Sequence, residues 1–245
     1  MENRNFKLDT EWNMIHYPEK PKGFGILIIG DERHFVDEKS SFWTQNEGKL
    51  AVIEKFKNEG YTVFYSNLYG KNWGSEKAVQ LAKRLYQYIM RTEIINDKIH
   101  VIAEGMGALV ALKLLQEMEG NIRSAILVNP VLSLKNHLEQ EKEHKFFYKK
   151  LLKELSSSYE REGKHVVEMI SNKQDSPELV SNVPIKIIHV LAGNRAYKQS
   201  NLLKELSVKW QDEKAPITVC YMLPEKKLGI GSQMIKFLRK HEKVL

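Results

Sequence analysis

The chain has 245 residues, 42% of them hydrophobic and 28% charged, which is enough for one α/β domain with a full core, and residues 1–245 are read as a single domain. Its one cysteine, Cys220, excludes an intrachain disulfide; no apolar segment follows the N-terminal Met1-Glu2-Asn3-Arg4-Asn5, and no apolar run approaches the ~18 residues of a membrane span, so a cytoplasmic protein is expected. The formal charge of +7 is concentrated at residues 225–243, where six Lys/Arg face two Glu, and lacks the aromatic interleaving or motif of a nucleic-acid binder; a solvated lysine-rich surface is expected and a nucleic-acid partner is not.

Short apolar runs alternate with amphipathic stretches along the chain, the pattern of βαβ units on a mostly parallel, doubly wound sheet. Phe6–Leu8 and Trp12–His16 read as antiparallel edge strands, and Gly25–Gly30 as a buried strand. A helix over 49–59 places Leu50, Ile53 and Phe56 on one face and ends at Gly60. Tyr61–Tyr65 is the next strand, followed by a helix over 75–92 with Ser75 as its expected N-cap. Ile99–Ala103 is a strand and Met106–Met118 a helix, with only Glu104-Gly105 between them. A strand over Ser124–Val128 ends at Asn129-Pro130, and the polar, helix-rich segment 134–182 reads as an insertion. The strand rhythm resumes at Pro184–Val190, with a helix over 199–211, a strand over Pro216–Met222 containing Cys220 as a small hydrophobe, and a last helix over Ser232–His241.

Four of these junctions carry a resemblance. Ala103-Glu104-Gly105-Met106-Gly107, between a strand and a helix, resembles the nucleophile elbow G-x-S-x-G of the α/β-hydrolases. The strand ending at Gly30-Asp31 resembles the one leading to that family's oxyanion loop. Asn67-Leu68-Tyr69-Gly70 with Trp73-Gly74-Ser75 resembles the stretch after its next strand, and Val183–His189 the strand before its catalytic acid. The insertion at 134–182 falls where the family places its lid. The resemblance spans about residues 12 to 240 and implies an α/β-hydrolase fold with a helical lid.

The same resemblance assigns three catalytic positions, and none holds the expected group. Gly105 stands at the nucleophile position and offers no side-chain atom. The loop expected to carry the acid reads Ala192-Gly193-Asn194-Arg195-Ala196-Tyr197, and the alternative place after Val128 reads Asn129-Pro130-Val131. The loop expected to carry the base, Leu223–Ser232, has no histidine, and His241 lies too far along the last helix. Glycine at an elbow has a physical logic, because the nucleophile sits at φ > 0, where a side chain costs ~1–3 kcal/mol of strain.

What remains is a helix N-terminus with Met106 at the position of the oxyanion-hole donor. Asp31, Glu32, His34, Glu104, Gly105 and Met106 are therefore the candidate ligand-binding residues; no catalytic residue, metal or cofactor is expected. A backbone donor near Asp31–Glu32 is expected to face the elbow, and the contrasting expectation is a pocket filled by Trp43, Met106 or lid side chains. Glu104 is read as a solvated or helix-capping carboxylate, and His34 as a loop surface histidine that an acid/base pair with Asp31 or Glu32 would otherwise explain. His137 and His144 are spaced to share a helix face, and Phe146-Phe147-Tyr148 is expected to pack onto the elbow, the alternatives being to line a pocket or mediate contact. The expected function is a catalytically inactive α/β-hydrolase-like protein binding a small molecule or a protein partner; the alternative is an ester or amide hydrolase with non-standard catalytic residues.

Overall fold

Three stretches of the chain are buried along their whole length, and they form the middle of the sheet: β3 (Phe24–Ile29), β4 (Tyr61–Ser66) and β5 (Ile99–Glu104). The computed structural model describes residues 3–172, 181–191 and 199–242. Within them, β1 (Asn3–Leu8), β2 (Glu11–His16), β6 (Ile122–Val128), β7 (Ile185–Val190) and β8 (Ile217–Met222) complete one eight-stranded sheet of order β1-β2-β4-β3-β5-β6-β7-β8. β2 runs antiparallel to β1 and β4, and every other pairing is parallel. The order reverses direction at β3, so the loops after β3 and β5 open from neighbouring strands at the same edge, where ligand crevices of open α/β sheets form.

Helices cover both faces, as a parallel sheet buried on both sides requires. On one face lie α3 (Glu76–Thr92), α4 (Ala108–Glu117) and α8 (Ser200–Asp212), burying Leu81, Leu85, Val110, Leu114 and Leu203 against β3, β5 and β6. On the other lie α1 (Phe42–Gln45), α2 (Glu47–Asn58) and α9 (Ile230–Arg239), which contribute Trp43, Ile53, Phe56, Met234 and Leu238. Between β6 and β7 come α5 (Leu134–Glu141), α6 (Lys145–Tyr159) and α7 (Gly163–Ser171), with a third, smaller core of their own. The apolar periodicity of the sequence placed the strands and the helices after them. It did not reveal α1, a single turn set by a Ser41/Thr44 capping box rather than by an apolar face. Ser75 does precede α3, but its hydroxyl makes no capping bond and is buried without a described partner.

The approach of α4 to β3 depends on the absence of a side chain at Gly107. A Cβ there would lie 2.6 Å from both the Ile29 and the Gly30 carbonyl oxygens, which are backbone and cannot swing aside. Gly107→Ala is expected to cost about 1–3 kcal/mol in urea unfolding, the range for overpacking a tight interior. Gly120→Ala, with no atom near its added carbon, should be close to neutral; equal effects of the two changes would refute the steric account.

Several histidines are built into the same core as neutral rings. His16 bonds the Tyr65 hydroxyl through Nε2 at 2.8 Å, and burial, helped by the charge of Lys57, holds it down at about 4. His100 bonds Ser124 through Nδ1 at 2.8 Å, and burial with Arg123 and His241 holds it at about 3. Both values lie below the ~6.5 of an unfolded histidine, so the unfolded chain takes up protons first as pH falls. Stability should therefore be full above about pH 7 and lost between about pH 6.5 and 4, with each histidine adding up to ~1.4 kcal/mol per pH unit. Urea midpoints that fall across this window, with a shallower fall in His100→Asn, are the expected result; midpoints flat from pH 7.5 to 4.5 would exclude it.

Candidate functional site

β5 leaves the sheet through a 3-10 turn, Gly105–Gly107, that feeds directly into α4. Gly105 sits at φ +49°, the left-handed region that the sharp reversal demands and that glycine adopts without strain. Its carbonyl accepts the Val131 amide at 2.9 Å, which fixes the turn against the loop after β6. The next amide, that of Met106, donates to Asp31 Oδ1 at 3.0 Å. A Cβ built at Gly105 would fall on the Asp31 carboxylate. The carboxylate thus occupies the volume that a side chain at 105 would need, and it caps the first free donor of the helix start. A negative charge there is favoured by the helix dipole. The loop after β3 meets the elbow, as expected, but with a side-chain acceptor and not a backbone donor.

Met106 is wholly buried. Its side chain packs with Trp73, Leu138, Leu151, Leu155, Val166 and Ile170 beneath α5–α7. Of the groups named for a filled pocket, Met106 and residues of α5–α7 are the ones that pack together here. Trp43 lies instead in the core under α1 and α2.

The remaining candidates point elsewhere. Glu104 is buried and paired with Lys49, whose ammonium also lies 4.8 Å from the centroid of the Trp43 ring. It is neither solvated nor a helix cap, because β5 ends with its side chain directed to the α2 face. His34 is buried, not on the surface: its Nε2 donates to the Ser66 carbonyl at 3.0 Å and its ring meets Tyr65 edge-on. Burial holds its imidazole at about 4, against the pull of the Ser66 bond. The His34 side chain makes no pair with Asp31 or Glu32; only its backbone amide reaches the Asp31 carbonyl, at 2.8 Å. Glu32 lies 3.8 Å from Lys150 of α6. Of the six candidates, Asp31, Gly105 and Met106 converge at one point, and Glu32, His34 and Glu104 do not.

A second constellation was not visible in the sequence. Glu154 on α6 accepts from Lys71 Nζ at 2.6 Å and from the Trp73 indole N–H at 3.0 Å, and Tyr159 donates to the Trp73 carbonyl at 2.8 Å. The Trp73 ring stacks on His137, centroids 5.3 Å apart and planes at 19°. Burial holds His137 at about 4, while Asp31 and Glu154 pull the other way. Glu154 lies 83 residues from Lys71 and 81 from Trp73, and Tyr159 lies 86 from Trp73, so no local spacing links them. Positive φ at Leu68, Tyr69 and Trp73 is the backbone mark of this loop, visible only in three dimensions. Two expectations for the inserted helices fail. His137 is buried on α5 whereas His144 is exposed just before α6, so a turn separates them. Phe146 and Phe147 are 75% and 55% exposed; only Tyr148 packs toward the elbow.

Residues 192–198, where the resemblance seeks an acid, lie outside the described residues. At the alternative place, Asn129 accepts the Val190 amide at 2.8 Å and so ties β6 to β7. The segment expected to carry a base is a 3-10 turn, Pro224–Gly229, leading into α9. His189 bonds Ser200 at 2.9 Å, a packing role at the end of β7.

No family model matches the chain, and no curated protein does. Solved structures do. An acylaminoacyl peptidase of Pyrococcus horikoshii superposes with TM-score 0.69 at 13% identity, over 100% of this chain and 43% of that one, so the chain spans less than half of that enzyme's length. Est1E of Butyrivibrio proteoclasticus gives 0.68 at 12% identity, covering 98% of this chain and 99% of that one. An esterase of Pyrococcus furiosus gives 0.65 at 14% identity over 99% and 92%. At such identities the likeness speaks to architecture. With the strand order and the β5 elbow described above, it establishes that this chain has the α/β-hydrolase fold.

Proposed function

We propose that this protein is a catalytically inactive α/β-hydrolase-like protein that works by binding a partner. The observation that carries this reading is Asp31 at the elbow. Acyl transfer on this fold uses a side-chain nucleophile and a free N–H pair for the developing oxyanion. Here the nucleophile position is glycine, and the Met106 amide is already bonded to a carboxylate of the same chain. An oxyanion would have to displace Asp31 and then face its charge. The apolar cluster around Met106 also leaves a small molecule little claim on that spot, which favours a macromolecular partner over a buried ligand.

The same observation supports a second reading. Asp31 brings a carboxylate to the place of the missing side chain, so an ester hydrolase with Asp31 as its nucleophile or base is the alternative. The two readings part in a direct assay. Purified protein is expected to take no label from a fluorophosphonate probe and to hydrolyse p-nitrophenyl esters no faster than buffer. Turnover abolished by Asp31→Asn would overturn the inactive reading in favour of the alternative.

The structural side is tested separately. Asp31→Ala leaves the Met106 N–H without its acceptor and should cost about 1–2 kcal/mol in urea unfolding. Gly105→Ser should cost about 1–3 kcal/mol through strain and the clash with Asp31. The double variant should lose less than the sum of the two, because removing the carboxylate relieves the clash. Strictly additive losses would show that the two residues do not share the space.

A further inference from the structure

We infer that the outward face of α6 is a docking surface for an anionic lipid membrane. On a helical projection, Leu151, Leu155 and Ser158 of α6 share the buried side. The opposite side carries Lys145, Lys149, Lys150 and Lys153 together with Phe146; Phe147, four residues before Leu151, follows the phase of the buried side but stands exposed at the start of the helix. All six are exposed. The two phenyl rings meet each other edge-on, centroids 5.6 Å apart, and neither joins one of the three buried clusters. Phe146 therefore sits on the polar side of an amphipathic helix, where nothing in the fold accounts for it.

The charge around the rings is of one sign. From 145 to 153 there are four lysines and no acidic residue. Lys150 is committed to Glu32 and Glu154, but Lys145, Lys149 and Lys153 form no ion pair with a described residue. Glu139, Glu141 and Glu143 precede the helix; Glu139 is neutralised by Lys142, and residues 139–153 keep an excess of two positive charges. Lysines flanking protruding aromatic rings match a headgroup layer over an acyl boundary: the ammonium groups stay among anionic headgroups while the rings enter the apolar zone. An acidic protein would satisfy the lysines but would also need a pocket for two rings that stand off a convex helix end. No opening of α5–α7 is involved, since the buried side of α6 keeps its contacts with Met106 and Trp73.

The test is co-sedimentation of the full-length protein with vesicles of phosphatidylcholine alone and of phosphatidylcholine with phosphatidylserine in a three-to-one ratio. Partitioning onto the anionic vesicles is expected to exceed that onto neutral ones by at least about tenfold and to fall as salt is raised. Phe146→Ala with Phe147→Ala, and separately Lys145→Gln with Lys149→Gln and Lys153→Gln, should each weaken it about tenfold or more with unfolding midpoints unchanged. Lys236→Gln with Lys240→Gln, on the basic last helix, should leave it intact. The inference is overturned by absence of binding, by equal binding to both vesicles, or by binding that only the Lys236/Lys240 variant removes. Capture of an acidic protein without any vesicle binding would overturn it too.

Discussion

A helix that starts at the edge of a buried sheet needs an acceptor for its first amides, and here one carboxylate supplies it. Asp31 reaches the Met106 amide from the loop after β3, across the gap that separates neighbouring parallel strands. The contact exists only because residue 105 has no side chain, since any Cβ would coincide with the carboxylate. Gly105 and Asp31 are therefore one solution in two places. Glycine relieves the strain of the φ +49° turn, and the space it leaves is where the charge that the helix end favours can sit. The neighbouring requirement at Gly107, where an added Cβ would strike the carbonyls of Ile29 and Gly30, lets the two loops sit as close as this contact needs.

The layer above depends on the same point. With Met106 turned into an apolar cluster, α5–α7 have a floor to pack on. A helix laid over such a floor still has polar groups at its border, and Glu154 is the one that would be costly alone. It is held by Lys71, by the Trp73 indole N–H and by Lys150 within its own helix, so its charge is compensated from three directions. Trp73 in turn is fixed by Tyr159 and by His137, whose ring stays neutral because it is buried. Apolar contact sets the layer's position and this polar border sets its register. A displaced α6 would strand Glu154 and the indole together.

How much of this was legible follows from the physics of each feature. The strands and most helices were readable because burial on two faces of a parallel sheet imposes continuous apolar runs, and helices on its faces impose a 3.6-residue period, as in β3 and α3. The elbow was readable because it joins two such elements with a motif of small residues. Side-chain partners were not. Whether Glu104 is solvated or paired depends on Lys49, 55 residues away, and nothing local distinguishes the cases. His34 followed the usual expectation for a loop histidine, yet its side chain turns back over Gly30 to bond Ser66. Phe146 and Phe147 were expected inward because aromatic rings usually are; the helical phase set by Leu151 and Leu155 turns Phe146 outward.

That phase separates two kinds of surface on one helix. The inward side of α6 packs with Met106 and Trp73 above the elbow, where the Asp31 carboxylate accepts the Met106 amide. Binding at the sheet edge would have to break apolar packing and the Asp31 contact in the same step, so each protects the other. On the outward side Lys150 is tied back to Glu32 and Glu154, whereas Lys145, Lys149 and Lys153 form no ion pair with a described residue. On α6 that side also holds Phe146, 75% exposed and outside the three buried clusters.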